Sequence, residues 1–359
     1  MAQILVQHSA RIVPGDRVAL EATTAAEPLV RELYREILKQ GGHPHLLLAI
    51  PEQTKEQFTY ANDRQLAFVH ELRQYAYETF ESRIRIHSLT NLHALEGFSP
   101  EKQTLIQKAQ SPILATQMKR GARDEFKWVT TLYPTEAYAK EAGMSLEAYQ
   151  DFVFQACHAD REDPVSIWNE ARKKQARAVD HIEGKDQVTL RGPNIDLTLS
   201  VRGRTFKNSY GLHNMPDGEI FTGPVEDSAE GWVRYSYPAV YNGVRVKGIE
   251  LTFEHGKVVQ ASATENEQVL HRLLDSDGGA RYIGEFAIGT NQQIQQFTGN
   301  ILFDEKIGGT IHIALGAGYP ETGSKNESMI HWDMICDMRE ESEILVDGEL
   351  YYQNGAFVF

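Results

Sequence analysis

Residues 328–334 read SMIHWDM, a histidine and an aspartate two apart inside an apolar run. In an extended strand, residues i and i+2 project to the same face. His331 and Asp333 therefore point one way, and Trp332 and Met334 the other. An imidazole and a carboxylate side by side in a buried strand either satisfy each other as a pair or are both held for a third party such as a metal ion. Three further stretches have the same texture. Glu219 in MPDGEIFTGPVEDS enters a short strand from a loop. In YIGEFAIGTN, Glu285 shares a face with Ala287 and Gly289, while Phe286 and Ile288 take the other. In TIHIALGAGYPETG, His312 lies with Thr310 and Ala314, opposite Ile311, Ile313 and Leu315.

In each stretch one face is apolar and the other combines small residues with one metal-competent side chain. Small neighbours leave room for something to approach. A buried ionised carboxylate is costly unless it is paired or coordinated, and several of them cannot neutralise one another. One or two divalent cations do so. Oxygen and imidazole donors without thiolates suit zinc, cobalt or manganese. Taken singly, each residue has a plainer reading. Glu285 can face solvent, His312 can be a hydrogen-bonded core histidine, and His331 with Asp333 can be a structural ion pair. Tyr319 in GAGYPETG can cap a glycine-rich turn. No spacing here has the specificity of an HExxH helix. The residues alone reach a metal-binding hydrolase, with these plainer alternatives open.

Two kinds of elements must position them. In the first half, DRVALEAT reads as a strand and AEPLVRELYREILKQGG as a helix with an apolar stripe of Leu29, Val30, Leu33, Tyr34, Ile37 and Leu38. Gly41 and Gly42 stop that helix, and HPHLLLAI is the next strand. Residues 16–50 thus form a βαβ unit, which implies a parallel sheet. Further strands are expected at 82–89, 111–117 and 127–134, with helices in SLEAYQDFVFQACHAD and VSIWNEARKKQARAVDHI. From about 188 two-residue alternation takes over, broken by turns. YNGV and EHGK are hairpin signals, because their central residues accept the positive φ angles of a type I′ turn. A helix is expected near ENEQVLHRLLDSDGG. The predicted organisation is an N-terminal α/β domain with a parallel sheet, residues 1–187, followed by a β-rich mixed domain of α+β type, residues 188–359, which carries the candidate site.

The chain has 359 residues, enough for two ordinary domains. Its formal net charge of −14 disfavours a nucleic-acid partner, which needs a basic footprint. No apolar run approaches the ~18 residues of a membrane span, and the N-terminus lacks the basic and apolar regions of a signal peptide. Two cysteines, Cys157 and Cys336, make a disulfide framework implausible and a reducing cytoplasm the expected home.

The succession NSYGLHNMPDGEIFTGPVEDSAEG, IGEFAIGTN, ILFDEKIGGTIHIALGAGYPETGSKNES and IHWDM resembles the aminopeptidase T family of dinuclear metallo-aminopeptidases. The likeness covers essentially the whole second half, with four motifs in the family's order. It implies a cytoplasmic homodimer that removes N-terminal residues from short peptides with two divalent metals. By the same resemblance, Glu219, Glu285, Glu305, His312, His331 and Asp333 are metal ligands, with Glu285 as the bridge, and Tyr319 is a residue of the active site. Glu285 also stands as a catalytic residue, as ligand, base or both. The rivals are a dimetal hydrolase of another ester or amide bond, a phosphoester for example, and a metal-stabilised binding protein without catalysis.

Overall fold

The computed structural model describes residues 1–241 and 243–359. The chain forms two compact units, Met1–Ile167 with Gly211–Pro216, and Trp168–Tyr210 with Asp217–Phe359. Set against the expected division at 187, residues 168–187 pack with the second unit. The segment 211–216 packs with the first because Asn214–Met215 pairs in parallel with Lys127–Leu132 as a fifth strand.

In the first unit the sheet order is His43–Ala49, Arg17–Thr23, Ser82–His87, Lys127–Leu132, Asn214–Met215, and every pairing is parallel. The expected βαβ unit is present, with the helix Glu27–Lys39 between its strands. Its buried stripe is narrower than predicted. Leu29, Val30, Leu33 and Ile37 are buried, whereas Tyr34 and Leu38, one position further round, are exposed.

One predicted strand is wrong. Residues 111–117 lie inside the helix Pro100–Gly121. The buried positions there are Ala109, Ile113 and Gln117, spaced by four, while Leu114 and Met118 are exposed. That is helical periodicity. Pro112 looks like a breaker in a short apolar run, yet it is accommodated within the helix.

The second unit is β-rich. It holds an eight-stranded and a five-stranded sheet joined by one apolar cluster, in which Leu190, Leu197 and Leu251 of the larger sheet meet Phe286, Ile311, Ile313 and Trp332 of the smaller. EHGK is a hairpin turn as expected, with His255 at φ 50° and Gly256 at φ 78° between paired strands. YNGV includes Asn242, which lies outside the described residues; the flanking strands Ala239–Tyr241 and Val244–Val246 pair antiparallel. The helix expected near 265–279 spans Glu267–Leu274.

The helical assignment of 111–117 is testable by thermal and chemical denaturation. Ile113→Ala should cost about 2–5 kcal/mol and Leu114→Ala no more than about 0.5 kcal/mol. Equal costs would contradict a helix with one buried face.

Candidate metal centre

The five-stranded sheet runs His331–Asp337, Thr310–Gly316, Ile283–Gly289, Glu219–Thr222, Lys207–Ser209, all antiparallel. Alternation divides its side chains cleanly. Phe286, Ile288, Ile311, Ile313, Leu315, Trp332 and Met334 all enter the apolar cluster. The opposite face carries the polar groups. In register, Ala314 stands between Glu285 on one side and Asp333 on the other, and Ala287 pairs with His312. The methyl groups of the two alanines leave the space above them to the acids and the imidazole. Gly316 closes the strand beside His331, at φ 98°, where a Cβ would lie 2.1 Å from the Ile330 carbonyl oxygen. Only glycine fits that approach.

Glu305 arrives by another route, at the end of the short helix Ile301–Asp304. Asn300 caps the first turn through Leu302 N, and Asp304 turns back to accept from Thr298 N and Oγ1 at 2.7 and 2.8 Å. These bonds hold the FDEK segment against the sheet.

All six predicted donor residues converge. Their donor atoms form three overlapping groups, Glu219–Glu285–His312, Glu285–His331–Asp333 and Glu305–His312–Asp333, each within 4.8 Å. Glu285, His312 and Asp333 each belong to two groups. His312 Nε2 lies 3.6 Å from Glu219 Oε2 and 3.5 Å from Glu285 Oε1; His331 Nε2 lies 3.2 Å from Glu285 Oε2 and 3.4 Å from Asp333 Oδ1. Tyr319 stands at the rim, 38% exposed, its ring edge-on to His331 at 5.3 Å and tilted against Phe221 at 5.4 Å.

The other nitrogen of each imidazole explains its orientation. His312 Nδ1 bonds the Glu305 carbonyl at 3.0 Å, and His331 Nδ1 bonds the Ala317 carbonyl at 2.7 Å. A carbonyl only accepts, so each Nδ1 carries a proton, and each Nε2 faces the carboxylates. Nitrogen and oxygen lone pairs directed at one centre suit a cation, and such backbone bonds fix the tautomer a metal needs. Among the described residues, Glu219 Oε2 and Asp333 Oδ1 are buried without a hydrogen-bond partner. The donor set therefore fits divalent metal: oxygen and imidazole donors, oriented, with unsatisfied acceptors aimed inward.

The sequence reading missed one member. Lys306 is fully buried; its Nζ bonds Glu305 Oε1 and lies 3.6 Å from Glu219 Oε1. A lysine following an acid reads as a surface pair, and only the fold shows it turned inward.

The electrostatics follow from four carboxylates sharing one ammonium. Burial raises Glu219 to about 8 against the pull of Lys306, and burial also raises Glu305 above its ordinary value. Burial acts upward on Glu285 and Asp333 too, but His312 and His331 hold Glu285 below its ordinary value, and His331 holds Asp333 at about 2. Desolvation would lower both imidazoles; Glu285 and Glu219 instead raise His312 to about 9, and Asp333 and Glu285 raise His331 to about 12. Lys306 resists its burial and stays charged through Glu219 and Glu305. Crowding and then the carboxylates, Glu285 foremost, raise the Tyr319 hydroxyl, which keeps its proton.

The family profile described as Thermophilic metalloprotease (M29) matches residues 1–357. The chain belongs to that family. Among curated relatives, Aminopeptidase 2 of Geobacillus stearothermophilus is 27% identical over 97% of this chain and 92% of its own length. Aminopeptidase T of Thermus thermophilus is 27% identical over 99% and 94%. The solved structure titled wild-type AmpT from Thermus thermophilus superposes with a TM-score of 0.87 and 24% identity, covering 100% of this chain and 98% of that one. At that identity the likeness is one of fold, and it spans both units of the M29 chain.

Two outcomes follow for the metal-free protein. Glu219, His312 and His331 all bind protons more tightly folded than unfolded, so from their unfolded values, about 4.5 and 6.5, up toward their folded ones, stability must fall as pH rises. Asp333 acts oppositely, its contribution being lost only below about 3.8. Denaturation of chelator-treated protein should show lower stability at pH 9 than at pH 6, and zinc should reverse the slope, since metal binds the deprotonated donors. A flat profile without metal would contradict this charge arrangement. Lys306→Met should cost the metal-free protein about 3–5 kcal/mol by leaving buried carboxylates uncompensated.

Proposed function

We propose that this chain is a metal-dependent aminopeptidase that releases the N-terminal residue of short peptides, using two divalent cations, zinc, cobalt or manganese. Membership of a metalloprotease family and relatives that carry the name aminopeptidase along nearly their whole length support the activity. The single observation behind the two-cation reading is that the six donors form three overlapping groups, with Glu285, His312 and Asp333 each belonging to two. Following the resemblance, Glu285 would be the shared carboxylate, with Glu219 and His312 on one side and His331 and Asp333 on the other. Glu305 completes the set through His312 and Asp333.

A pair of divalent cations supplies Lewis acidity and a lowered pKa for the attacking water. The chain's own residues do the rest. Tyr319, protonated and at the rim, donates to the carbonyl oxygen as it gains charge. Phe221 and His331 hold its ring. Glu285 lies at the reacting centre as ligand, base or both, and as base would take up the proton released there. The carboxylate-lined floor receives the substrate's free amino group and so restricts cleavage to the first peptide bond.

A phosphoester substrate is disfavoured, because Lys306 is already committed to Glu305 and Glu219 and offers nothing to a phosphate. The homodimer and the cytoplasmic location implied by the resemblance are part of the proposal. Two buried cysteines, neither in a disulfide, suit a reducing compartment. Among the described residues, no helix is long and apolar enough to cross a membrane.

The test is hydrolysis of an aminoacyl p-nitroanilide, its N-acetylated analogue and p-nitrophenyl phosphate, before and after chelation and with each metal added back. The free-amine substrate alone should be cleaved, with about two ions per chain by metal analysis. Glu285→Gln should remove turnover and leave the fold intact. Wild-type rates in that variant, cleavage of the phosphate alone, or chelation that destabilises a protein with no turnover would each defeat the proposal.

A further inference from the structure

The first unit contains a charged cluster for which the hydrolytic residues have no use. Glu21, Arg83, Arg85 and His87 lie on one face of its parallel sheet, with Glu21 opposite Arg85 and Ala19 opposite Arg83 in register. The helix Glu71–Thr79 adds Arg73 and Tyr77. Arg73 donates to Glu21 from Nε and Nη2 at 3.0 and 3.3 Å. Arg85 donates from Nε to Glu21 Oε2 at 2.8 Å and from Nη2 to the Tyr77 hydroxyl at 2.7 Å. The guanidinium carbons of Arg73 and Arg83 stand 5.6 and 6.0 Å from the centre of the Tyr77 ring. Three guanidinium groups thus gather at one tyrosine, and the carboxylate bonded among them is Glu21.

Arg83 is the anomaly. It is 2% exposed, and the one hydrogen bond of its side chain among the described residues is a long one, Nη2 to Thr130 Oγ1 at 3.4 Å. Its Nε and Nη1 are buried with no hydrogen-bond partner among the described residues. A buried cation left unpaired is strongly destabilising, and unsatisfied buried donors in a native fold call for an explanation. Burial, with Arg85 and Arg73 as like charges near by, lowers Arg83 to about 10. His87, at the end of the same strand, is exposed and offsets nothing within the cluster.

The position of the cluster is a second, independent observation. From the strand Arg17–Thr23 the chain adds His43–Ala49 on one side and Ser82–His87 on the other, so the strand order reverses there. Open parallel sheets take their ligands outside the carboxyl ends of the strands at such a reversal. Glu21 and Arg85 lie in the C-terminal halves of Arg17–Thr23 and Ser82–His87; Arg83 is the second residue of its strand, and its side chain reaches toward that end by bonding Thr130, the partner of Arg85.

We propose that Arg73, Arg83 and Arg85 form a binding site for a small doubly charged oxyanion of the phosphate class. Three cations against one carboxylate leave an excess of two charges, which a dianion cancels. Its oxygens accept from the forked guanidinium donors that Arg83 leaves unused. Arg73 and Arg85, with side chains 23% and 24% exposed, are the members open to solvent, and Arg83 is the buried one.

The test uses the full-length, metal-loaded protein, with thermal unfolding and calorimetric titration against inorganic phosphate, acetate and sodium chloride at matched ionic strength. Phosphate should stabilise the wild type saturably, and neither acetate nor chloride should. Arg83→Met should raise the phosphate midpoint at least about tenfold, the loss of one or more charge-assisted bonds, and Arg83→Lys should fall between. Equal stabilisation of Arg83→Met would place the anion elsewhere, on the metal centre for instance, and overturn the proposal. So would an unsaturable response, or acetate acting as well as phosphate. Should Arg83→Met not fold, Arg73→Met at the mouth carries the test, and an unchanged midpoint there overturns the site.

Discussion

Four largely buried carboxylates held within a few ångströms cannot all keep their charge unaided. Everything in the second unit answers to that constraint. Lys306 meets part of it with a permanent ammonium wedged against Glu305 and Glu219. Two imidazoles meet another part, their outer nitrogens tied to main-chain carbonyls so that the inner ones face the acids. The remaining deficit is what makes the cluster a receptacle for metal rather than an inert polar patch.

The sheet makes so concentrated a charge tolerable by putting its apolar half immediately behind it. Three of the four strands that carry a donor also carry two or three large side chains into the core at the alternate positions, and the short strand of Glu219 carries Ile220. Packing and chemistry are thus coupled through the pleat: a slip of one residue would bury Glu285 among isoleucines and turn Phe286 toward the acids. The register that keeps the donors together is the register that keeps the core dry.

Much of this was legible from the chain. Alternation in IGEFAIG, TIHIALG and IHWDM marks the strands, the buried face and the polar face, because a side-chain period of two is a direct consequence of extended geometry. The parallel sheet follows from one βαβ pattern. Other parts left no readable mark. The carbonyls of Glu305 and Ala317 orient both histidines, yet every residue has a carbonyl. Lys306 lies on no strand, so no periodicity shows which way it points. Residues 111–117 mislead because a short apolar run near a proline has the composition of a strand, and only burial every fourth residue tells the helix apart. Arg83 and Arg85 alternate on one strand like solvent-facing charges; the helix Glu71–Thr79 that brings Arg73 and Tyr77 to them is what removes them from water.

Glu305 has two tasks in one residue. Its side chain joins the donor group with Asp333, while its main-chain oxygen sets the ring of His312. Displacing the short turn 301–306 therefore disturbs a carboxylate and an imidazole in the same movement. Occupancy of the cage is tied to the seating of this one turn, and the centre is expected to come apart as a unit instead of shedding its donors one by one.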